Sequence, residues 1–242
     1  MAETWEYFLK ILPALLEGLK VSLKIFCLTI VFSIPLGLPL ALGSICKIPP
    51  IKWICRLYIL VFRGTPLMLQ LFFFYFFLPI IFRDTLDQLS PDMKNFMFKY
   101  VLDAMPTAVL TYVLNYAAYF AEIYRGGIES IDKGQYEAAQ SLGVSKTRTM
   151  FGIIIPQTVK RVLPSVANET ITLVKDTSLV YVIGVGELMK AAKGAVNRDQ
   201  DLLAYAVAAV IYLSLTFVLT LMFKKLEKHF SKSEEAGGIK RG

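Results

Sequence analysis

Histidine is almost missing from this sequence of 242 residues: His229 is the single copy, and it lies in a lysine-rich tail. One imidazole cannot build a multi-histidine metal centre, and its place in a solvated tail sets it away from any Ser–His–Asp constellation, so those hydrolytic chemistries are not expected. Cysteine is scarce as well. Cys27, Cys46 and Cys55 lack metal-ligand spacing and fall in or beside apolar blocks, where the thiol serves as a small hydrophobe. No G-x-x-x-x-G-K-[ST] phosphate loop occurs, so any ATP that drives this protein is bound by another chain. No catalytic residue, metal site or resident cofactor is therefore expected here. Charge is thin too, at 19% against about 25% in soluble domains.

What fills the space is apolar: 55% of residues are hydrophobic and the mean hydropathy is +0.55. Charge-free blocks run over Ile25–Ile45, Gly64–Phe82, Ala104–Ala121 and Leu202–Phe223. Each approaches or exceeds the ~20 residues a helix needs to cross about 30 Å of hydrocarbon. A fifth block, Val166–Met189, is as long but carries Glu169, Lys175, Asp176 and Glu187. A spanning segment must satisfy its own backbone, which selects helices, and the alternating pattern of barrel strands is absent. The expected fold is all-α and polytopic, with five transmembrane helices over 19–225. The acidic start Met1-Ala-Glu-Thr-Trp-Glu6 is unlike a cleaved signal, so the first block reads as a retained helix. Residues 1–18 read as an interfacial lead-in and 226–242 as a disordered tail.

The excess of +7 is placed beside the spans rather than in a nucleic-acid-binding patch. Lys47, Lys52 and Arg56 follow the first block; Arg125, Lys133, Lys146, Arg148, Lys160 and Arg161 follow the third; Lys224, Lys225 and Lys228 follow the last. The segment between the second and third blocks sets Arg83, Lys94 and Lys99 against Asp84, Asp87, Asp92 and Asp103. Positive-inside bias then puts the N-terminus outside and the C-terminus in the cytoplasm, with anionic lipid and not nucleic acid as the charge partner.

Between the third and fourth spans, 135–151 combines small and polar residues. Ala138, Ala139, Leu142, Gly143, Lys146 and Met150 recur at helical spacing, a small-residue face suited to close approach by a partner. Pro156 is expected to stop or bend the chain after it. Glu137-Ala138-Ala139, Gly143 and Ile153-x-Ile155-Pro156 closely resemble the EAA motif of ATP-binding-cassette (ABC) importer permeases, with Ile155 in place of the usual Leu. Three further segments resemble the polar amino acid branch, the histidine, arginine and glutamine permeases: Arg63-Gly64-Thr65-Pro66-Leu67, Ala121–Ile128 and Lys175-Asp176-Thr177-Ser178-Leu179. The resemblance covers roughly 15–225. It implies a type I importer permease fold in the bacterial inner membrane, a coupling helix that docks on an ATPase subunit through Glu137, Ala138, Ala139, Leu142 and Gly143, a second permease copy, and an external solute-binding protein. ATP and Mg would belong to the ATPase.

Ionisable groups inside a span are functional candidates by default. Asp176 leads, sharing a helix face with Glu169 and Thr172; Asn115, Tyr119 and Glu122 share another. Carboxylates there suit a zwitterion's ammonium, while Thr65, Gln70, Thr177 and Ser178 are candidate donors to its carboxylate. Arg63, Arg125, Glu169 and Lys175 read as gate or packing residues, and for Glu122 solute contact and helix packing both stay open. A secondary transporter or channel would also place carboxylates in spans, but leaves the 135–151 segment unexplained. An intramembrane enzyme lacks its constellation.

Overall fold

The computed structural model describes residues 2–235, with side chains placed for 4–97 and 101–230. Among them every regular element is helical. α1 (Ala2–Ile45) turns at Cys46–Ile48 into α2 (Pro49–Gly64). α3 (Leu67–Phe72), a π turn (Phe73–Phe77) and α4 (Leu78–Ile81) form one stretch, followed by the short α5 (Arg83–Asp87) and α6 (Pro91–Tyr100). α7 (Ala104–Glu129) leads to α8 (Lys133–Ser141) and α9 (Lys146–Thr149). A second π turn (Met150–Ile154) opens α10 (Ile155–Asp176), which tightens into a 3₁₀ segment (Thr177–Ile183) before α11 (Leu188–Asp199) and α12 (Leu203–Glu235).

α1 departs from the expectation of a separate lead-in over 1–18: it is a single helix of 44 residues. At ~1.5 Å per residue it is about 66 Å long, twice the hydrocarbon thickness. The reason is tertiary. Ile11 and Leu15 pack on Leu188 and Ala192 of α11 and on Ala204 and Ala208 of α12, so the apolar stripe is buried in protein. Farther along, Thr29, Ser33, Gly37 and Ala41 repeat every fourth residue on the buried face. A Cβ on Gly37 would lie 2.8 Å from Phe120 Cβ and 3.1 Å from Ala121 N, so α1 and α7 approach as membrane helices do across small residues. On α7, a Cβ on Gly127 would come within 2.2 Å of Val162 Cγ1 of α10.

Thr4–Ile45 and Leu203–Phe230 are each long and apolar enough to cross a membrane, and so is Pro49–Gly64 together with Leu67–Ile81, although that pair bends by 105°. The second apolar block thus does not begin a helix at Gly64; it follows a break there. The fourth block also differs from a uniform helix. Asp176, expected midway along a span, is the last α-helical residue before the 3₁₀ segment. The tail differs as well. α12 continues to Glu235, past the expected end of order at 225, because Lys224–Lys228 offers good helix formers and no breaker. The rest of the expected disordered tail, 236–242, lies outside the described residues. The aromatic run is wound into the first π turn, and Phe73, Phe76 and Phe77 are exposed on the outer surface.

Candidate functional site

Pro66 creates the site by what it lacks. Without an N–H it cannot bond to the carbonyl of Phe62 four residues earlier, and a freed carbonyl inside a membrane protein needs another donor. Two side-chain amides supply it: Asn115 Nδ2 donates to Phe62 O at 2.9 Å and Gln70 Nε2 does so at 2.9 Å. Gln70 also reaches Thr65 O at 3.1 Å and Thr65 Oγ1 at 2.8 Å, and its Oε1 accepts from Asn115 at 3.0 Å. The Thr65 hydroxyl in turn donates to Val61 O. Asn115, Gln70 and Thr65 were expected to meet solute. The donor groups of all three are instead engaged in holding the break between α2 and α3.

The bend opens a cleft of about 530 Å³ between α2, α7 and α10. Glu169, Thr172 and Asp176, three and four residues apart on α10, line one wall together. Arg63, Thr65, Asn115 and Tyr119 line the other. Asp176 is set by two stacked tyrosines of α7, Tyr112 and Tyr116, whose rings lie 6.4 Å apart at 6°. Tyr116 donates to Asp176 Oδ2 at 2.7 Å, and Tyr112 donates to the Asp176 backbone carbonyl. These tyrosines were missed in the sequence; the signal available was a pair of aromatics at i, i+4. Among the described residues neither Asp176 nor Glu169 has a cation within 4 Å. Lys175 is exposed and makes no ion pair with either.

Glu122 stands apart from Asn115 and Tyr119. Its carboxylate accepts from Arg125 Nε at 2.9 Å and Nη2 at 2.6 Å, and Arg63 Nη1 lies 3.5 Å away. Arg125 also reaches Glu129 at 2.6 Å. This is a chain of ion pairs that joins α2 to α7, with Arg63 alone of its members on the cleft wall, and it favours the packing role of Glu122. Arg63 closes the link by standing 5.4 Å over the Tyr119 ring. Thr177 is buried and donates to Val174 O, and Ser178 donates to Lys175 O; neither lines the cleft.

The second candidate region is the projecting loop. The sequence predicts one coupling helix over 135–151, whereas the chain forms two short helices. Asp132 caps α8 by accepting from Gly134 N at 2.6 Å. Gly143 ends it at φ 67, with Val144 N bonded to Ala139 O and Gly143 N to Gln140 O, the paired bonds of a glycine helix stop. Ser145 then caps α9. The turn divides the expected face. Ala139 is buried, while Glu137, Ala138 and Gly143 are exposed and Leu142 projects at 82% exposure. Pro156 does not stop the chain; helical structure runs on through it from the second π turn into α10.

A helical membrane chain with an ionisable cleft at a broken helix and an exposed capped loop has the parts of a transporter's membrane subunit. Residues 33–232 match the family described as binding-protein-dependent transport system inner membrane component, and the chain belongs to that family. It is 38% identical over 224 residues to the arginine transport system permease protein ArtQ of Bacillus subtilis (strain 168), covering 92% of this chain and 95% of that protein. It is 35% identical over 222 residues to the L-cystine transport system permease protein TcyB of the same organism, covering 91% and 88%. Among solved structures, an amino acid ABC transporter crystallised with histidines superposes with a TM-score of 0.78 at 32% identity, over 92% of this chain and 96% of that one.

Proposed function

We propose that this chain is the permease subunit of an ABC importer that carries a polar amino acid across the bacterial inner membrane, and that the cleft at Asp176 receives the solute. The observation that carries the reading is the α8–α9 loop. A secondary transporter has no use for a capped loop whose leucine stands 82% exposed, whereas an ATPase groove would bury Leu142 beside Glu137 and Ala138. The chain carries no phosphate loop of its own, so ATP and Mg belong to the partner subunits. A second permease copy would close the open side of the cleft, and an external binding protein would deliver solute. Charge placement orients the five crossings with the N-terminus outside and the α8–α9 loop in the cytoplasm.

The cleft wall presents two carboxylates, Asp176 and Glu169, while the nearby Arg63 is already shared with Glu122. That balance favours a solute with net positive charge, its ammonium groups at the carboxylates and its own carboxylate toward Arg63. The test is reconstitution with candidate ATPase and binding protein, reading ATP hydrolysis stimulated by arginine, glutamine and glutamate. Arginine should stimulate most and glutamate least. Glu137→Lys and Leu142→Asp should abolish stimulation while leaving the permease folded. Stimulation that survives both would overturn the docking role of the loop, and equal response to all three amino acids would overturn the charge assignment.

A further inference from the structure

The turn from α1 into α2 encloses a pocket of about 340 Å³ that has no part in the cleft or the loop. Its walls bring together Lys47, Lys52 and Arg56, with Trp53 and Pro49 beside them. No acidic residue lines it, and none of the three cations has a carboxylate within 4 Å among the described residues. Arg56 is held in place by donating Nε to Ser44 O at 3.1 Å, which leaves its two terminal nitrogens for another acceptor. The helix start contributes little, since α2 opens on Pro49 and Pro50, which have no N–H. An anion here is held chiefly by side chains.

The surroundings select the anion. From the pocket an apolar track runs along the outer face of α2: Trp53 at 72% exposure, Ile54 at 68%, Leu57 at 61% and Leu60 at 68%. A free phosphate would use the cations and ignore the track. A phospholipid uses both, with its phosphate among the cations, an acyl chain along Ile54, Leu57 and Leu60, and the Trp53 indole at headgroup depth. From Trp53 to Leu60 the track is about 10 Å long, enough for the first half of an acyl chain. We propose that this pocket binds the headgroup of an anionic phospholipid. Placing that lipid in the cytoplasmic leaflet rests on the orientation proposed above; the site itself does not.

The sequence offers a direct probe, because it has 2 tryptophans and Trp5→Phe leaves Trp53 as the sole indole, excited apart from the tyrosines at the red edge. The full-length chain carrying that change is placed in phosphatidylcholine bilayers with increasing brominated phosphatidylglycerol, then in the converse mixture. Bromine quenches only at short range. Each engaged cation contributes ~1 kcal/mol near the surface, on the order of fivefold in association, so brominated phosphatidylglycerol should be favoured at least fivefold over brominated phosphatidylcholine. Lys47→Gln with Lys52→Gln, which spares the Arg56 anchor, should bring the ratio towards one. Equal quenching by the two lipids in the unsubstituted pocket overturns the proposal, as does a preference that survives the double substitution. Inorganic phosphate at about 10 mM, where the Debye length is still on the order of 30 Å and surface charge is little screened, should leave the preference intact; if it erases it, the pocket is a soluble-anion site. No quenching by either lipid would mean that protein covers the track, which also overturns it. Amino acid stimulation of ATP hydrolysis, measured in parallel, separates failure of this site from failure of the transport reading.

Discussion

Two carboxylates on the same stretch of chain, the half-buried Asp176 and the buried Glu187, have opposite surroundings. Glu187 is wholly buried and saturated: it accepts from Met189 N and Lys190 N at 2.7 Å, from Tyr212 at 2.9 Å and from Ser22 at 3.4 Å. It caps α11 and ties that helix start to α1 and α12 at once. Among the described residues Asp176 has one side-chain donor, Tyr116, and its remaining capacity faces the cleft. Burial of an acid therefore does not by itself mark function. The number of donors the protein already supplies separates a carboxylate used for construction from one left for a ligand.

The contrast breaks first at Glu187. Replacing it with Leu leaves two backbone N–H groups and the Tyr212 hydroxyl without their acceptor in a dry setting, while Ser22 keeps Gly18 O. A loss of about 3–5 kcal/mol in stability follows from stranding a buried polar network. Thermal unfolding of the detergent-purified chain reads it, and a fall of under ~1 kcal/mol would show that the cap is dispensable. Asp176→Asn should behave in the opposite way. Asn still accepts from Tyr116, so the unfolding temperature should hold. A charged hydrogen bond to solute is worth about 1.5–3 kcal/mol, so transport should drop on the order of ten- to a hundredfold. Normal uptake by Asp176→Asn would remove it from the solute path.

Asn115→Ala sharpens the comparison from the cleft side. Asn115 lines the cleft as Asp176 does, but both its N–H groups are spent, on Phe62 O and on Gln70. Gln70 still serves the freed carbonyl, so the expected cost is about 1–2 kcal/mol in stability. The ratio of arginine to glutamine response should not move, because the amide is a fastener and not a reader. A changed ratio would return Asn115 to the solute-contact set.

What could be read from the sequence divides along the same line. The apolar blocks, the polar loop with its Glu-Ala-Ala and Gly, and the shared face of Glu169, Thr172 and Asp176 depend on local spacing, and local spacing is visible in one dimension. The break at Gly64–Pro66 was within reach, since Pro66 stood in plain view, but reading it as the start of a span hid the 105° bend. The partners of Phe62 O were not legible. Asn115 lies fifty-three residues away, and nothing in an asparagine's neighbours says whether its amide faces a solute or a carbonyl. Glu187 stood out only as a charge in an apolar block, and its ties to Ser22 and Tyr212 required the fold. Gly143 was read as part of a helical face because spacing alone cannot distinguish a small contact residue from a left-handed stop.

A third carboxylate completes the series at the far end of α11. Asp199 is held by Arg198 through Nε at 2.9 Å and by Lys10 of α1 at 3.2 Å, so it ties the same pair of helices as Glu187 does, but at the surface. The hydrogen bond from Arg198 keeps its carboxyl well below the usual range; partial desolvation opposes this and Lys10 adds to it. A depressed folded value means that the contribution is fully present above the unfolded value near ~3.9 and is lost as pH falls through the folded one. Asp199→Asn should therefore lower the unfolding temperature slightly and by the same amount throughout pH 5–8, and the two proteins should converge only in strong acid. It should be the smallest effect of the four, because water competes for every partner of Asp199 and for none of those that hold Glu187. A loss as large as that of Glu187→Leu would mean that charge pairing, and not the saturated buried cap, fastens α11 to α1.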